Sequence, residues 1–111
     1  MTAEKRREVT EAFRLYARHK AAGTAVEPVG SDEWLTVHAV SATLSCFRAT
    51  EKPHIAEAVE QIYFVDPSEP LYKGEIDRRV VKYCADHYVC QRSVYNWLKS
   101  ARLLYWAIRY P

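Results

Sequence analysis

The chain has 111 residues, of which 16 are Lys or Arg and 14 are Asp or Glu, so its formal net charge is +2. This length predicts a single domain, and a composition that is 49% hydrophobic is sufficient for a core. No apolar stretch approaches the roughly 18 residues of a membrane span, so we expect no membrane contact. The charged N-terminal segment is followed by no apolar run, which argues against a signal peptide and predicts a cytoplasmic protein.

Charge is distributed unevenly along the sequence. Residues 1–26 carry a net charge of +3, residues 27–70 carry −6, and residues 71–111 carry +5. A basic C-terminal part beside an acidic middle is a dipolar arrangement. It favours a protein whose basic end faces DNA while the rest faces solvent or protein.

Apolar residues at helical spacing predict an all-α fold with about five helices and no strand. Thr2 and Ser31 are suitable N-caps for the first two helices, and Pro53 suits the first position of the third. The predicted helices are Thr2–Ala22, Ser31–Thr50, Pro53–Phe64, Glu75–His87 and Gln91–Tyr110. We expect residues 1–111 to form one domain, in which residues 1–64 pack and mediate dimerisation and residues 74–110 form a helix-turn-helix.

The first helix has basic side chains around an apolar stripe, namely Arg6, Arg7, Arg14, Arg18 and Lys20. A solvated face is the simplest interpretation of these side chains, and a second phosphate-contacting surface is the alternative. On the second helix, His38 lies near the apolar side and is predicted to be a core histidine.

The last helix is amphipathic and, from Gln91 onward, contains Lys and Arg but no Asp or Glu. One side is predicted to be buried, and a cationic, hydrogen-bonding side lies opposite, as a DNA recognition helix requires. The predicted buried stripe is Val94, Trp97, Leu98, Ala101, Tyr105 and Ile108. Leu103 and Trp106 lie off this stripe, so we expect either the first helix or a second subunit to cover them.

The last two helices meet the spacing rules of a helix-turn-helix. A small residue, Cys84 or Ala85, lies where the first helix packs across the second. The apolar turn residue Val89 holds the two helices together, and Val94 and Trp97 face back into the corner between them. Two features depart from the usual pattern. Tyr88 stands where the turn often has glycine, and the cap of the last helix must be Cys90 or Gln91, both poor N-caps.

The segment Val59–Tyr110 also shows VEQIYF, a short loop, and a last helix within CQRSVYNWLKSARLLYWAIRY. In these features it resembles phage and prophage transcriptional regulators of the ArpU/RinA-like group, whose C-terminal halves are similar to promoter-binding region 4 of bacterial sigma factors. The resemblance implies control of late phage genes, such as those for packaging, morphogenesis or lysis. It is carried mainly by Ile62, Tyr63, Phe64, Val89, Arg92, Ser93, Val94, Tyr95, Trp97, Leu98 and Arg102.

The predicted function is therefore sequence-specific binding of double-stranded DNA, with the last helix in the major groove. Arg can bond guanine and Asn can bond adenine at their major-groove edges, while Lys and Arg hold phosphates. The predicted base-reading residues are Arg92, Asn96 and Tyr95. The predicted phosphate contacts are Gln91, Ser93, Lys99, Arg102 and Arg79. A homodimer is expected, because one unit of this size makes few base contacts.

Two other functional classes remain open. One is a small-terminase-like DNA packaging adaptor, and the other is a helical interaction module that binds RNA polymerase or a sigma factor without DNA contact. We expect no enzyme, because the histidines are scattered and no catalytic motif is present. Cys84, His87 and Cys90 lie three residues apart but lack a fourth ligand, so we expect no metal or other cofactor.

Overall fold

The computed structural model describes all 111 residues and contains five α-helices and no strand. The all-α class predicted from the sequence is confirmed. The helices are α1 (Ala3–Ala22), α2 (Asp32–Ala49), α3 (Pro53–Tyr63), α4 (Glu75–His87) and α5 (Gln91–Arg109). None of them is both long and apolar enough to cross a membrane.

The helix ends follow from local chemistry. Thr2 lies outside α1, and its side-chain oxygen accepts a hydrogen bond from the backbone N–H of Lys5 at 3.2 Å. Ser31 caps α2 in the same way through the N–H of Trp34, also at 3.2 Å. Each cap satisfies a backbone donor that the helix itself cannot, which typically contributes about 1 kcal/mol.

α5 is the central helix and packs against all four others. Its buried residues are Val94, Leu98, Ala101 and Tyr105. The ring of Tyr105 meets Phe13 of α1 edge-to-face, with ring centroids 5.8 Å apart. Phe13 in turn contacts Tyr63 of α3 at 5.2 Å, so one aromatic cluster joins three helices. The position of α5 is therefore fixed by the core along most of its length.

The end of α5 differs from the predicted stripe. Ile108 is 37% exposed, and the side facing α2 instead continues from Tyr105 to Arg109, four residues on. Arg109 donates hydrogen bonds to Thr36 and Asp32 of α2. Since neighbouring residues on a helix point about 100° apart, turning Arg109 toward α2 leaves Ile108 at the surface.

Two basic side chains of α1, one buried and one half-buried, contact the rest of the fold, so the predicted solvated face is smaller than expected. Arg14 is 3% exposed and donates hydrogen bonds to the backbone carbonyls of Asp66, Pro67 and Glu69. Arg18 donates to the Pro67 carbonyl at 2.9 Å. Burial lowers the pKa of Arg14 from its ordinary value. These contacts hold the loop between α3 and α4 against α1. They also supply hydrogen-bond donors to backbone carbonyls of that loop, which has no helical N–H partners for them.

His38 is also placed differently from the prediction. Its side chain is exposed on α2 rather than part of the core. The imidazole stacks on the Trp34 indole, with ring centroids 4.0 Å apart. Residues 34 and 38 are neighbours one helical turn apart, so the aromatic pair forms on the surface of α2 without entering the core.

Candidate nucleic-acid interface

α4 and α5 are joined by the three residues Tyr88, Val89 and Cys90. Cys84 of α4 and Val94 of α5 are both buried in the core, and Val89 of the turn packs half-buried against the same core. The N–H of Val89 closes α4 by donating to the Cys84 carbonyl at 3.2 Å. Trp97 is likewise half-buried against the core, and its indole contacts the His54 ring edge-on, with ring centroids 4.8 Å apart.

The turn adopts the backbone conformation that glycine usually supplies. Tyr88 has φ 54° and ψ 42°, in the left-handed region, and its side chain is 96% exposed. This conformation costs an L-residue roughly 1–2 kcal/mol. Because the ring contacts almost nothing in the chain, no packing within the fold offsets that cost.

The N-terminus of α5 has no side-chain cap. Cys90 has the extended backbone of an N-cap residue, but its thiol forms no capping hydrogen bond. The thiol lies 3.1 Å from the Ser93 hydroxyl, and this side-chain hydrogen bond is the main cause that lowers the pKa of Cys90. The poor cap expected from the sequence is present, and it leaves first-turn N–H groups open to solvent or a ligand.

The first three turns of α5 present an exposed polar face. Gln91, Arg92, Asn96 and Lys99 are all exposed. Neither Arg92 nor Lys99 lies within ion-pair distance of a carboxylate. The 92, 96 and 99 positions share one helix face and span about 10 Å of helix axis. The positive charges of Arg92 and Lys99 are therefore available to an anionic partner.

Tyr95 lies at the edge of this face and is already hydrogen-bonded. Its hydroxyl donates to the Asp77 carboxylate of α4 at 2.6 Å. This hydrogen bond, together with burial and the Asp77 charge, raises the pKa of Tyr95 to about 12. The hydroxyl joins α4 to α5, so the structure gives it a role inside the protein rather than the free donor that a base-reading tyrosine would need.

The two remaining predicted phosphate contacts occupy different environments. Arg102 is half-buried, and its Nη1 donates to the Tyr63 hydroxyl at 3.3 Å. The side chain of Arg79 is only 12% exposed. It donates to the carbonyls of Ile62 and Val65 and pairs with Glu75. These acceptors engage Nε and Nη1 of the guanidinium, so Arg79 holds α4 to the end of α3.

Sequence reasoning did not place Arg6 beside α5. In the structure Arg6 of α1 lines one cavity with Lys99, Arg102 and Leu103 of α5, together with Met1. The basic pattern of α1 does mark Arg6 as a phosphate-contacting alternative. The sequence carries no signal for where α1 passes α5, because that depends on tertiary packing.

The charges of α4 contrast with those of α5. Arg78 pairs with Glu75, and Lys82 pairs with Asp86 at 3.1 Å. These i,i+3 and i,i+4 pairs partly neutralise the surface of α4. The uncompensated positive charge of the C-terminal helices is thus concentrated on the exposed face of α5.

Of the two apolar side chains predicted to need a cover, one is covered within the chain. Trp106 is half-buried, with the Lys5 ammonium of α1 5.1 Å from its ring centre and the Tyr110 ring at 4.6 Å. Leu103 is 49% exposed. Any interface between subunits at this place would therefore involve Leu103 rather than Trp106.

The cysteine and histidine side chains near the turn make contacts of their own. His87 stacks on Tyr83 at 4.0 Å and lies 3.3 Å from a Glu57 oxygen. Cys84 is buried and Cys90 is exposed, and both are free thiols. No group of three His, Cys, Asp or Glu side chains is arranged to hold a metal ion.

Comparisons of the chain with protein-family models, curated proteins and solved structures gave no match. The similarity to ArpU/RinA-like regulators therefore stays an expectation from the sequence. The chemistry of the α5 face and its surroundings is the basis for assigning a function.

Proposed function

We propose that this protein binds double-stranded DNA with the first three turns of α5 in the major groove. The observation that carries the proposal is the exposed α5 face on which Arg92, Asn96 and Lys99 lie together. Neither Arg92 nor Lys99 forms an ion pair, and the helix contains no acidic residue. Double-stranded DNA is a polyanion whose major groove admits one α-helix. A cationic helix face with a central amide suits that environment.

Each side chain has a role that its chemistry supports. The Arg92 guanidinium can donate two hydrogen bonds to guanine O6 and N7, and the Asn96 amide can pair with adenine N6 and N7. Lys99 lies two turns beyond Arg92, about 10 Å along the axis, which is comparable with the roughly 12 Å width of the groove. It would therefore contact phosphate at the groove edge, while Gln91 at the helix start donates to the opposite strand.

The back of α5 supports this use of its front. Val94, Leu98 and Ala101 are at most 1% exposed and lock the helix against the core. The Tyr95–Asp77 hydrogen bond further holds α4 against α5. A helix whose backbone is already held by the core loses little backbone entropy on binding, which favours affinity and specificity.

The biological setting is a separate part of the proposal, because it rests on the resemblance of Val59–Tyr110 to phage regulators and not on the α5 face. We propose a phage or prophage transcriptional regulator of late genes that reads a specific operator. RNA polymerase or a sigma factor would be its protein partner. A homodimer would double the number of base contacts, and the exposed Leu103 is the apolar side chain on which such pairing would rest.

The decisive experiment compares two double variants in DNA binding at several salt concentrations. Arg92→Ala with Lys99→Ala removes two charges from the α5 face, and Lys20→Ala with Lys52→Ala removes two exposed charges elsewhere. Loss of the Arg92 base contact should cost about 1–3 kcal/mol, or roughly 5- to 150-fold in affinity. Loss of the Lys99 phosphate contact should reduce the salt slope by about 0.9. Equal affinities for the two double variants would remove α5 from the DNA interface.

A further inference from the structure

The cavity between α1 and α5 has the composition of an anion site. It has a volume of about 230 Å³ and is lined by Arg6, Lys99, Arg102, Met1 and Leu103. Three of the five side chains are cationic and none is acidic. None of the three cations forms an ion pair within the protein. Like charges that converge without a counter-ion repel one another, so a bound anion would stabilise this arrangement.

One wall of the cavity is held in place by the core. Arg102 is half-buried, and Nη1 donates to the hydroxyl of Tyr63, which is only 2% exposed. Tyr63 is itself fixed by the Phe13 ring at 5.2 Å. A guanidinium has five N–H donors, so one hydrogen bond to Tyr63 leaves others for an external acceptor. Arg102 is therefore oriented before any ligand arrives.

The position of the cavity along α5 indicates which anion it takes. Arg102 is ten residues beyond Arg92, about 15 Å along the helix axis. If Arg92 lies at the base edges, a point about 15 Å away lies beyond the roughly 12 Å width of the major groove, where the sugar–phosphate backbone runs. A guanidinium pair and an ammonium match the oxygens of a phosphate diester.

We propose that Arg6, Lys99 and Arg102 form a phosphate-binding site for one backbone phosphodiester of the bound DNA, which makes α1 part of the interface. This inference rests on the proposed function. It assigns to Arg6 a contact made from a different helix, at the opposite end of the sequence from Arg102. Contacts from both α1 and α5 to one DNA strand would fix the depth of α5 in the major groove and its orientation across the groove.

The test uses Arg6→Gln with Arg7→Gln as the matched control. Both positions are exposed on α1 and lose one positive charge, but Arg7 does not line the cavity. The slope of log affinity against log salt is measured on one duplex. We expect Arg6→Gln and Arg102→Gln each to reduce the slope by about 0.9, and Arg7→Gln to leave it at the wild-type value.

The outcomes separate this inference from the proposed function. Wild-type DNA binding with equal slopes for Arg6→Gln and Arg7→Gln would overturn the phosphate site and leave the α5 interface standing. Absence of duplex binding by the wild-type protein would overturn both. A parallel NMR titration with inorganic pyrophosphate tests the source of the anion. Amide shifts at Arg6 and Arg102 without any duplex binding would assign the site to a free phosphate compound and refute a DNA phosphate.

Discussion

Replacing Tyr88 with glycine should stabilise the protein, although it removes a large aromatic side chain. Tyr88 has φ 54° and is 96% exposed. The left-handed conformation costs an L-residue roughly 1–2 kcal/mol, and glycine adopts it freely. Glycine loses about 0.5–1 kcal/mol more backbone entropy on folding than other residues. Because almost no buried surface is lost, the difference favours glycine by about 0.5–1 kcal/mol.

Thermal and urea denaturation followed by circular dichroism measure this difference. For a domain of this size, about 0.5–1 kcal/mol corresponds to an increase in Tm of roughly 2–6 °C. Tyr72→Gly is the matched control, since Tyr72 is 74% exposed in the loop before α4 and is not among the residues with positive φ. Glycine there should only add unfolded-state entropy and lower the stability slightly. A Tyr88→Gly variant that loses as much stability as Tyr72→Gly would refute the conformational cost assigned to the turn.

Three further predictions concern other parts of the molecule. Arg14→Met leaves loop carbonyls without donors inside the fold and should lower the urea-denaturation free energy by about 1–3 kcal/mol, whereas unchanged stability would mean that the loop does not need this anchor. Hydrogen bonds and charge from Arg78 and Arg79 hold the pKa of Glu75 at about 2, below its ordinary 4.5. The stability that these interactions contribute is complete above pH 4.5 and is lost as pH falls toward 2. Glu75→Gln should therefore be less stable than wild type at neutral pH and equally stable below pH 2. A stability difference that does not change with pH would contradict this. In sedimentation, the wild-type chain should have the mass of a dimer and Leu103→Glu that of a monomer, and a wild-type monomer would exclude the dimer.

Much of the fold could be predicted because its signals are local. Caps such as Thr2 and Ser31 and the first-turn Pro53 mark helix starts through backbone hydrogen bonding, which depends only on neighbouring residues. Helical spacing located the buried side of α5 as far as Tyr105. It failed at Ile108, since the α2 partners of Arg109 come from a distant part of the sequence.

The candidate site shows the same division between local and tertiary information. Exposure of Arg92, Asn96 and Lys99 follows from their place opposite the apolar stripe. The internal role of Arg79 could not be predicted in this way. A guanidinium that is solvated in an isolated helix can reach the carbonyls of Ile62 and Val65 only once α3 is packed beside it. The placement of Arg6 beside α5 required the same long-range packing.

Contact between the exposed face of α5 and duplex DNA is the claim on which the proposed function depends. The most direct measurement selects a binding sequence from random duplex DNA and then maps amide chemical shifts of the protein on adding the selected duplex. We expect an enriched sequence and the largest shifts at Arg92, Asn96 and Lys99, with little change on the exposed side of α2. No enrichment of any duplex, or shifts confined to α2 and α3, would contradict the claim.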